Sequence, residues 1–136
     1  MIYLDSCIVI YALESVDATG ARARELLSAT GLQFAVSGLV VHEALVGPLR
    51  DRDERRLADY RDLFDELEMI DIGLPEFLHA ARLRAANRGL RTPDALHIAA
   101  AQLADCTELW TNDKRLVVAS GGLATDVIDR PGASPK

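Results

Sequence analysis

Apolar Met1 to Leu4 ends abruptly at Asp5, a short run that predicts a buried β-strand closed by an acid. Residues 6–14 then follow a helical pattern. A loop carrying Asp17 and Gly20 comes next, then a second helix over Ala21 to Ala29 with Ala23, Leu26 and Leu27 facing inward. Gln33 to Val36 predicts a second strand, and Ser37 stands where it can cap a helix from Gly38 to about Leu49. Leu57, Tyr60, Phe64 and Leu67 recur at helical spacing across Asp53 to Leu67, and Met69 to Ile72 reads as a third strand. Pro75 to Asn87 is helical and closed by Gly89. Thr92-Pro93-Asp94 opens the next helix with a capping threonine, a proline at the first helical position and an acid in the first turn. The apolar stretch Ala95 to Ala101 predicts packing on both sides. Glu108 to Trp110 and Thr125 to Ile128 are the fourth and fifth strands, with a short helix over Asp113 to Ala119 between them. Arg130 to Lys136, with two prolines and a glycine, is expected to be a flexible tail.

Short apolar strands alternating with helices indicate an α/β fold with a roughly five-stranded, mainly parallel sheet flanked by helices. Residues 1–129 are expected to form one domain, since no internal repeat or linker interrupts them. In such sheets ligands bind beyond the carboxyl ends of the strands.

Composition narrows the class. With 49% hydrophobic and 26% charged residues the 136-residue chain has the make-up of an ordinary globular domain. No apolar run approaches the ~20 residues needed to span a bilayer. Met1 to Asp5 has no basic leader before its apolar residues, which argues against a secretory signal. Cys7 and Cys106 lie far apart without metal-type spacing, so free thiols in a reducing cytoplasm are expected.

A net charge of −6 argues by itself against a nucleic-acid partner, but its distribution changes the picture. Of the 15 basic residues all but Lys114 and Lys136 are arginine, whose planar fork matches phosphate oxygens. One group, Arg50, Arg52, Arg55, Arg56 and Arg61, is laced with acids and reads as solvated helix faces. A second, Arg82, Arg84, Arg88 and Arg91, has fewer acids nearby and runs into the Thr92-Pro93-Asp94 turn.

Four acids carry the candidate chemistry. Asp5 and Asp113 each stand just past a strand and just before a helix, where capping alone accounts for an acid. Asp94 shares its helix face with His97, Ile98 and Ala101, an otherwise inward face, and with Thr92 in the capping position it needs a further reason. Glu43 has Leu39, Val40 and Val46 as helical neighbours, and a carboxylate among them costs several kcal/mol unless paired or coordinated. Its bland alternative is a salt bridge to a distant arginine. Gathered at one sheet edge, four carboxylates repel and call for a cation, and all-oxygen ligation selects Mg²⁺ or Mn²⁺. Such a site suits phosphodiester hydrolysis.

Leu4-Asp5-Ser6 after the first strand, Glu43 on the third helix, Arg91-Thr92-Pro93-Asp94-Ala95-Leu96-His97 and Thr111-Asn112-Asp113 resemble PIN-domain ribonucleases, and most of all the VapC toxins of bacterial toxin–antitoxin pairs. The likeness runs from Met1 to about Asp129. It implies a Rossmann-like sheet, a homodimer, and magnesium-dependent endonucleolytic cleavage of structured RNA, often tRNA or rRNA. It also implies a small VapB-like antitoxin whose C-terminal segment obstructs the site. In that family the acids matching Asp5, Glu43, Asp94 and Asp113 line one metal site, Asp5 and Asp94 most directly. Ser6, Thr111 and Asn112 match residues that order water, metal or the neighbouring acids. Arg91, Lys114 and Arg115 are candidates for reaching the RNA backbone, and the expected product ends are a 5′-phosphate and a 3′-hydroxyl.

Two other readings compete. A cysteine hydrolase would use Cys7 at a helix start with His42, His79 or His97 as base. A binding module would use the acids only as helix caps. A phosphatase or receiver domain fits less well: Cys7 stands where the first wants a second acid, and Ser6 breaks the acid pair of the second. No P-loop or dinucleotide glycine motif is present. His97 itself reads as a hydrogen-bonded core histidine rather than a ligand.

Overall fold

The structure is a computed structural model describing residues 1–129; the predicted tail, Arg130 to Lys136, lies outside the described residues. The strands are β1 (Ile2–Leu4), β2 (Phe34–Ser37), β3 (Glu68–Ile70), β4 (Glu108–Thr111) and β5 (Ala124–Asp126). They form one sheet in the order β3-β2-β1-β4-β5, and every pairing is parallel. The helices are α1 (Ser6–Glu14), α2 (Ala18–Leu27), α3 (Gly38–Asp51), α4 (Glu54–Asp65), α5 (Leu74–Ala86), α6 (Thr92–Leu103) and α7 (Lys114–Ala119). Successive side chains of a strand point to opposite faces, and every residue of β1 and β2 is buried. Helices therefore cover both faces, giving the expected three layers. Phe34 and Trp110, on strands either side of β1, pack with ring centroids 5.3 Å apart. The edge strand β3 is short and largely exposed.

The strand order reverses direction beside β1. From β1 the chain crosses to β2 on one side, whereas β4 lies on the other side and leads outward to β5. Parallel sheets open a crevice at such a reversal, beyond the strand ends. Leu4 is paired with Trp110, so Asp5 and Thr111 emerge together into that crevice.

Several boundaries differ from the sequence expectation, each for a local reason. Helix α2 begins at Ala18, so Gly20 is helical rather than in a loop. Asp17 caps this start by accepting from the Gly20 N–H at 3.2 Å. A Cβ at Gly20 would stand 1.9 Å from the Ser15 carbonyl oxygen, so α2 can close on the end of α1 only with glycine there. Ser37 occupies the N-cap position of α3 without capping it, because its hydroxyl is bonded to Tyr3 instead. Helix α6 starts at Thr92 itself, with Arg91 as a cap that makes no side-chain bond; the expected threonine cap is corrected to the first helical residue. Strand β5 stops at Asp126, whose Oδ1 accepts from the N–H groups of Ile128 and Asp129 and turns the chain away. Arginines of both groups serve the fold as well as the surface. Arg56 donates to the carbonyl of Leu13, and Arg84 to that of Leu90 at 2.9 Å.

Candidate active site

The four acids arrive from four elements. Asp5 caps α1, accepting the Ser6 N–H on Oδ1 at 2.8 Å. Its Oδ2 accepts from Thr111 Oγ1 at 2.7 Å. The same threonine oxygen accepts the Asp113 N–H at 2.9 Å, so Thr111 ties the first acid to the last. Asp113 caps α7 through the Arg115 N–H at 2.9 Å and pairs with the Arg115 guanidinium at 3.3 Å. Capping and membership of the acid group thus coexist at both positions, since a carboxylate has about four acceptor sites. Asp94 stands in the first turn of α6, and Glu43 lies in the middle of α3.

One cleft is lined by Asp5, Glu43, Asp94 and Asp113, with Ser6, Asn112, Lys114 and Arg115 at its walls. The sequence prediction that these acids converge is met by the geometry. Thr111 is fully buried beneath them, and Arg91 is exposed at the start of α6.

Among the described residues Glu43 pairs with a histidine, where the bland alternative had a distant arginine. Its Oε1 lies 2.6 Å from Nε2 of His97. That nitrogen is 3.7 Å from Asp5 Oδ1, and one ligand atom from each of Asp5, Glu43 and His97 falls within 4.8 Å of the others. A carboxylate only accepts, so Nε2 carries a proton. On the other side of the ring Nδ1 lies 2.7 Å from the Tyr3 hydroxyl, which is 2.7 Å from the Ser37 hydroxyl. A buried chain Ser37–Tyr3–His97–Glu43 therefore links β2, β1, α6 and α3. His97 is 1% exposed, and both its nitrogens are used, as a hydrogen-bonded core histidine requires. The apolar setting of Glu43 is weaker than its sequence neighbours suggest, because Val46 is 40% exposed.

The electrostatics separate the acids. Burial works to raise the Glu43 carboxyl, but the hydrogen bond and charge of His97, with a bond from the Ser6 hydroxyl, hold it below the usual carboxylate range. Burial also acts on Asp113, where Arg115 and the α7 N–H groups prevail and lower it. Asp94 goes the other way: burial, then the charges of Asp113 and Asp5, raise it despite Arg91 and Arg115. Asp94 also accepts no hydrogen bond among the described residues. It is a half-buried carboxylate facing two others, the arrangement a hard divalent cation satisfies.

Cys7 sits beside this group, its thiol donating to Asp5 Oδ2 at 3.6 Å. Burial first, and the Asp5 charge second, push it up to about 12. A thiol so held is not the thiolate a cysteine hydrolase needs. His42 is exposed, and His79 is bonded to Gln102 at 2.6 Å.

A neighbouring acid was not legible in the sequence. Asp126 is 3% exposed, and its Oδ1 accepts from Asn112 Nδ2 at 3.0 Å. Asn112 also donates to Asp129 at 2.9 Å and accepts from the Tyr11 hydroxyl at 3.2 Å. This set fixes the loop carrying Asp113. The available signal was an acid inside the apolar stretch Ala124 to Val127.

No helix among the described residues is long and apolar enough to cross a membrane. No curated protein matches the chain. Solved structures do. A toxin–antitoxin complex from Klebsiella pneumoniae contains a chain 26% identical, covering 93% of this chain and 98% of its own, with a TM-score of 0.76. VapBC2 of Rickettsia felis, bound to a promoter DNA fragment, is 24% identical over 93% of this chain and 100% of its own, at 0.72. VapC20 of Mycobacterium tuberculosis, described as a sarcin-ricin loop cleaving toxin, is 16% identical over 88% of this chain and 95% of its own, at 0.73. The family model for the PIN domain matches residues 2–121. The chain belongs to the PIN domain family.

Proposed function

We propose that this chain is the toxin of a VapC-like toxin–antitoxin pair, an endoribonuclease acting on RNA phosphodiesters in the cytoplasm. The observation that carries the reading is Asp94: a half-buried carboxylate without a hydrogen bond among the described residues, facing Asp5 and Asp113 in a cleft that Glu43 also lines. Three supports stand around it. The donor set is all oxygen, the fold is that of the PIN family, and similar solved chains occur in toxin–antitoxin complexes.

Mg²⁺, or Mn²⁺ in its place, fits this donor set, with Asp5 and Asp94 as the principal ligands and Glu43 and Asp113 completing the site. When bound, the ion supplies Lewis-acid stabilisation of charge on the phosphate oxygens and lowers the pKa of water. The remaining work belongs to the chain. Thr111 and the Ser6 N–H hold the Asp5 carboxylate in one orientation. Arg115 holds Asp113 ionised, and His97 holds Glu43 ionised and aimed at the cleft. Lys114 and Arg115 flank the cleft where a phosphate backbone would pass, with Arg91 exposed nearby. The partners are RNA, a VapB-like antitoxin across the cleft, and a second copy of the chain.

Mapping the product ends on bacterial RNA tests the reaction. A 5′-phosphate and 3′-hydroxyl, formed with Mg²⁺ and abolished by EDTA, are expected. A 2′,3′-cyclic phosphate would mean that the RNA's own hydroxyl attacks, and would overturn hydrolysis by water.

A further inference from the structure

A second cleft, of about 600 Å³, lies between the turn joining α5 to α6 and helix α7. It adjoins the acid cleft and shares Asp94, Lys114 and Arg115 with it. Its walls are of two kinds. Arg88, Lys114 and Arg115 bring exposed cations, while Leu90, Val118 and Ala119 bring apolar surface. Val118 is 85% exposed, an isopropyl group facing water in the cleft that Asp94 also lines. Arg115 is engaged with Asp113, but Arg88 and Lys114 form no hydrogen bond or ion pair among the described residues.

The turn is held in shape by the fold. Gly89 takes φ 87°, a left-handed conformation that favours glycine. The Leu90 N–H donates to the Asn87 carbonyl at 3.1 Å, and Asn87 Nδ2 to that of Leu83 at 2.9 Å. With the Arg84 bond to Leu90 as well, little ordering entropy is left to be lost when this cleft is filled.

Cations call for a phosphate, and an adjacent apolar wall calls for a flat apolar face. A nucleotide offers both. In duplex RNA the bases are stacked inside the helix, so only an unpaired base can turn onto such a wall. We propose that this cleft holds the unpaired nucleotide next to the scissile phosphate, its phosphate against Arg88 and Lys114 and its base against Leu90, Val118 and Ala119. The proposal rests on the ribonuclease reading above and gives Arg88, Leu90, Val118 and Ala119 a place in its substrate site.

The test is fluorescence anisotropy of a short labelled single-stranded RNA with the full chain in EDTA, alongside an abasic oligomer with the same backbone and a duplex. Arg88→Ala and Val118→Ser change exposed positions. Arg88→Ala is expected to weaken binding of both single strands about tenfold and to lower the salt slope by about one. Val118→Ser is expected to weaken the intact strand about threefold or more while leaving the abasic strand unchanged. Equal binding by both variants and wild type, or a duplex bound as tightly as the single strand, overturns the subsite. If wild type still cuts RNA in Mg²⁺ in that case, the ribonuclease reading stands without the subsite. If wild type neither binds nor cuts RNA, both fall.

Discussion

Nε2 of His97 lies 2.6 Å from Oε1 of Glu43, although the two residues stand 54 positions apart on different helices. A partly buried carboxylate that must stay ionised needs such a donor, and the ring is itself fixed by Tyr3 at 2.7 Å. Replacing either end therefore acts on Glu43. His97→Asn withdraws the donor and is expected to lower kcat about 10–100-fold, the usual cost of losing a group that orients a metal-binding residue. His97→Gln, whose amide nitrogen reaches the place of Nε2, is expected to keep most of the rate. Equal losses in both variants, matched by equal falls in melting temperature, would reduce His97 to a packing role.

Asp94 gives a prediction with a definite sign. Burial and the charges of Asp113 and Asp5 raise its carboxyl above the ordinary value, so the folded state favours its protonated form. The stability this contributes is fully present below the unfolded value of about 3.9 and is lost as pH rises through the folded one. At neutral pH without metal the charge is a burden. Asp94→Asn is therefore expected to melt higher than wild type in EDTA, and millimolar Mg²⁺ to raise only wild type appreciably. A lower melting temperature for the variant in EDTA would contradict the crowding of these carboxylates.

Cys7 separates hydrolysis by the acids from thiol chemistry. With its thiol pushed up to about 12, iodoacetamide at pH 8 is expected to label Cys7 of the native chain far more slowly than after unfolding. Cys7→Ala is expected to keep RNA cleavage within about threefold of wild type. Rapid labelling that abolishes activity would revive the cysteine hydrolase.

Tyr3 and Tyr60 report on the core at high pH, with the part-buried Tyr11 at its margin. Burial is the leading cause that raises Tyr3, Tyr11 and Tyr60, with the Glu14 carboxylate adding to it at Tyr60. The protonated phenols are favoured in the folded state. Their stabilising effect is fully present below about pH 10 and disappears as pH climbs towards the folded values. Absorbance of tyrosinate near 295 nm is expected to stay low past pH 10 and then to rise together with the loss of circular dichroism. Ionisation near pH 10 with the fold intact would contradict the burial.

The sequence disclosed what is local. An apolar run ending in an acid marks the end of β1, and Thr111-Asn112-Asp113 marks the end of β4. Parallel pairing then carries Asp5 and Thr111 side by side. Glu43 was conspicuous among apolar neighbours, yet its partner was not, because His97 stands 54 positions away on α6 and meets it only in the folded chain. Ser37 looked like a cap because it directly precedes α3, and it is not one because its hydroxyl is bonded to Tyr3, a contact set by strand order rather than by neighbours. Asp126 escaped notice because a buried acid bonded to Asn112 has no periodic signature. The cleft beside Val118 likewise depends on how a turn and a short helix come together in space.

The most direct test of the account is RNA cleavage by wild type and Asp94→Asn, side by side on total bacterial RNA, with Mg²⁺ and with EDTA. Discrete fragments that require both the metal and Asp94 are expected. Uncut RNA from wild type with both Mg²⁺ and Mn²⁺ would contradict the claim and leave the chain a binding module, whereas fragments that Asp94→Asn produces equally well would contradict the role of Asp94.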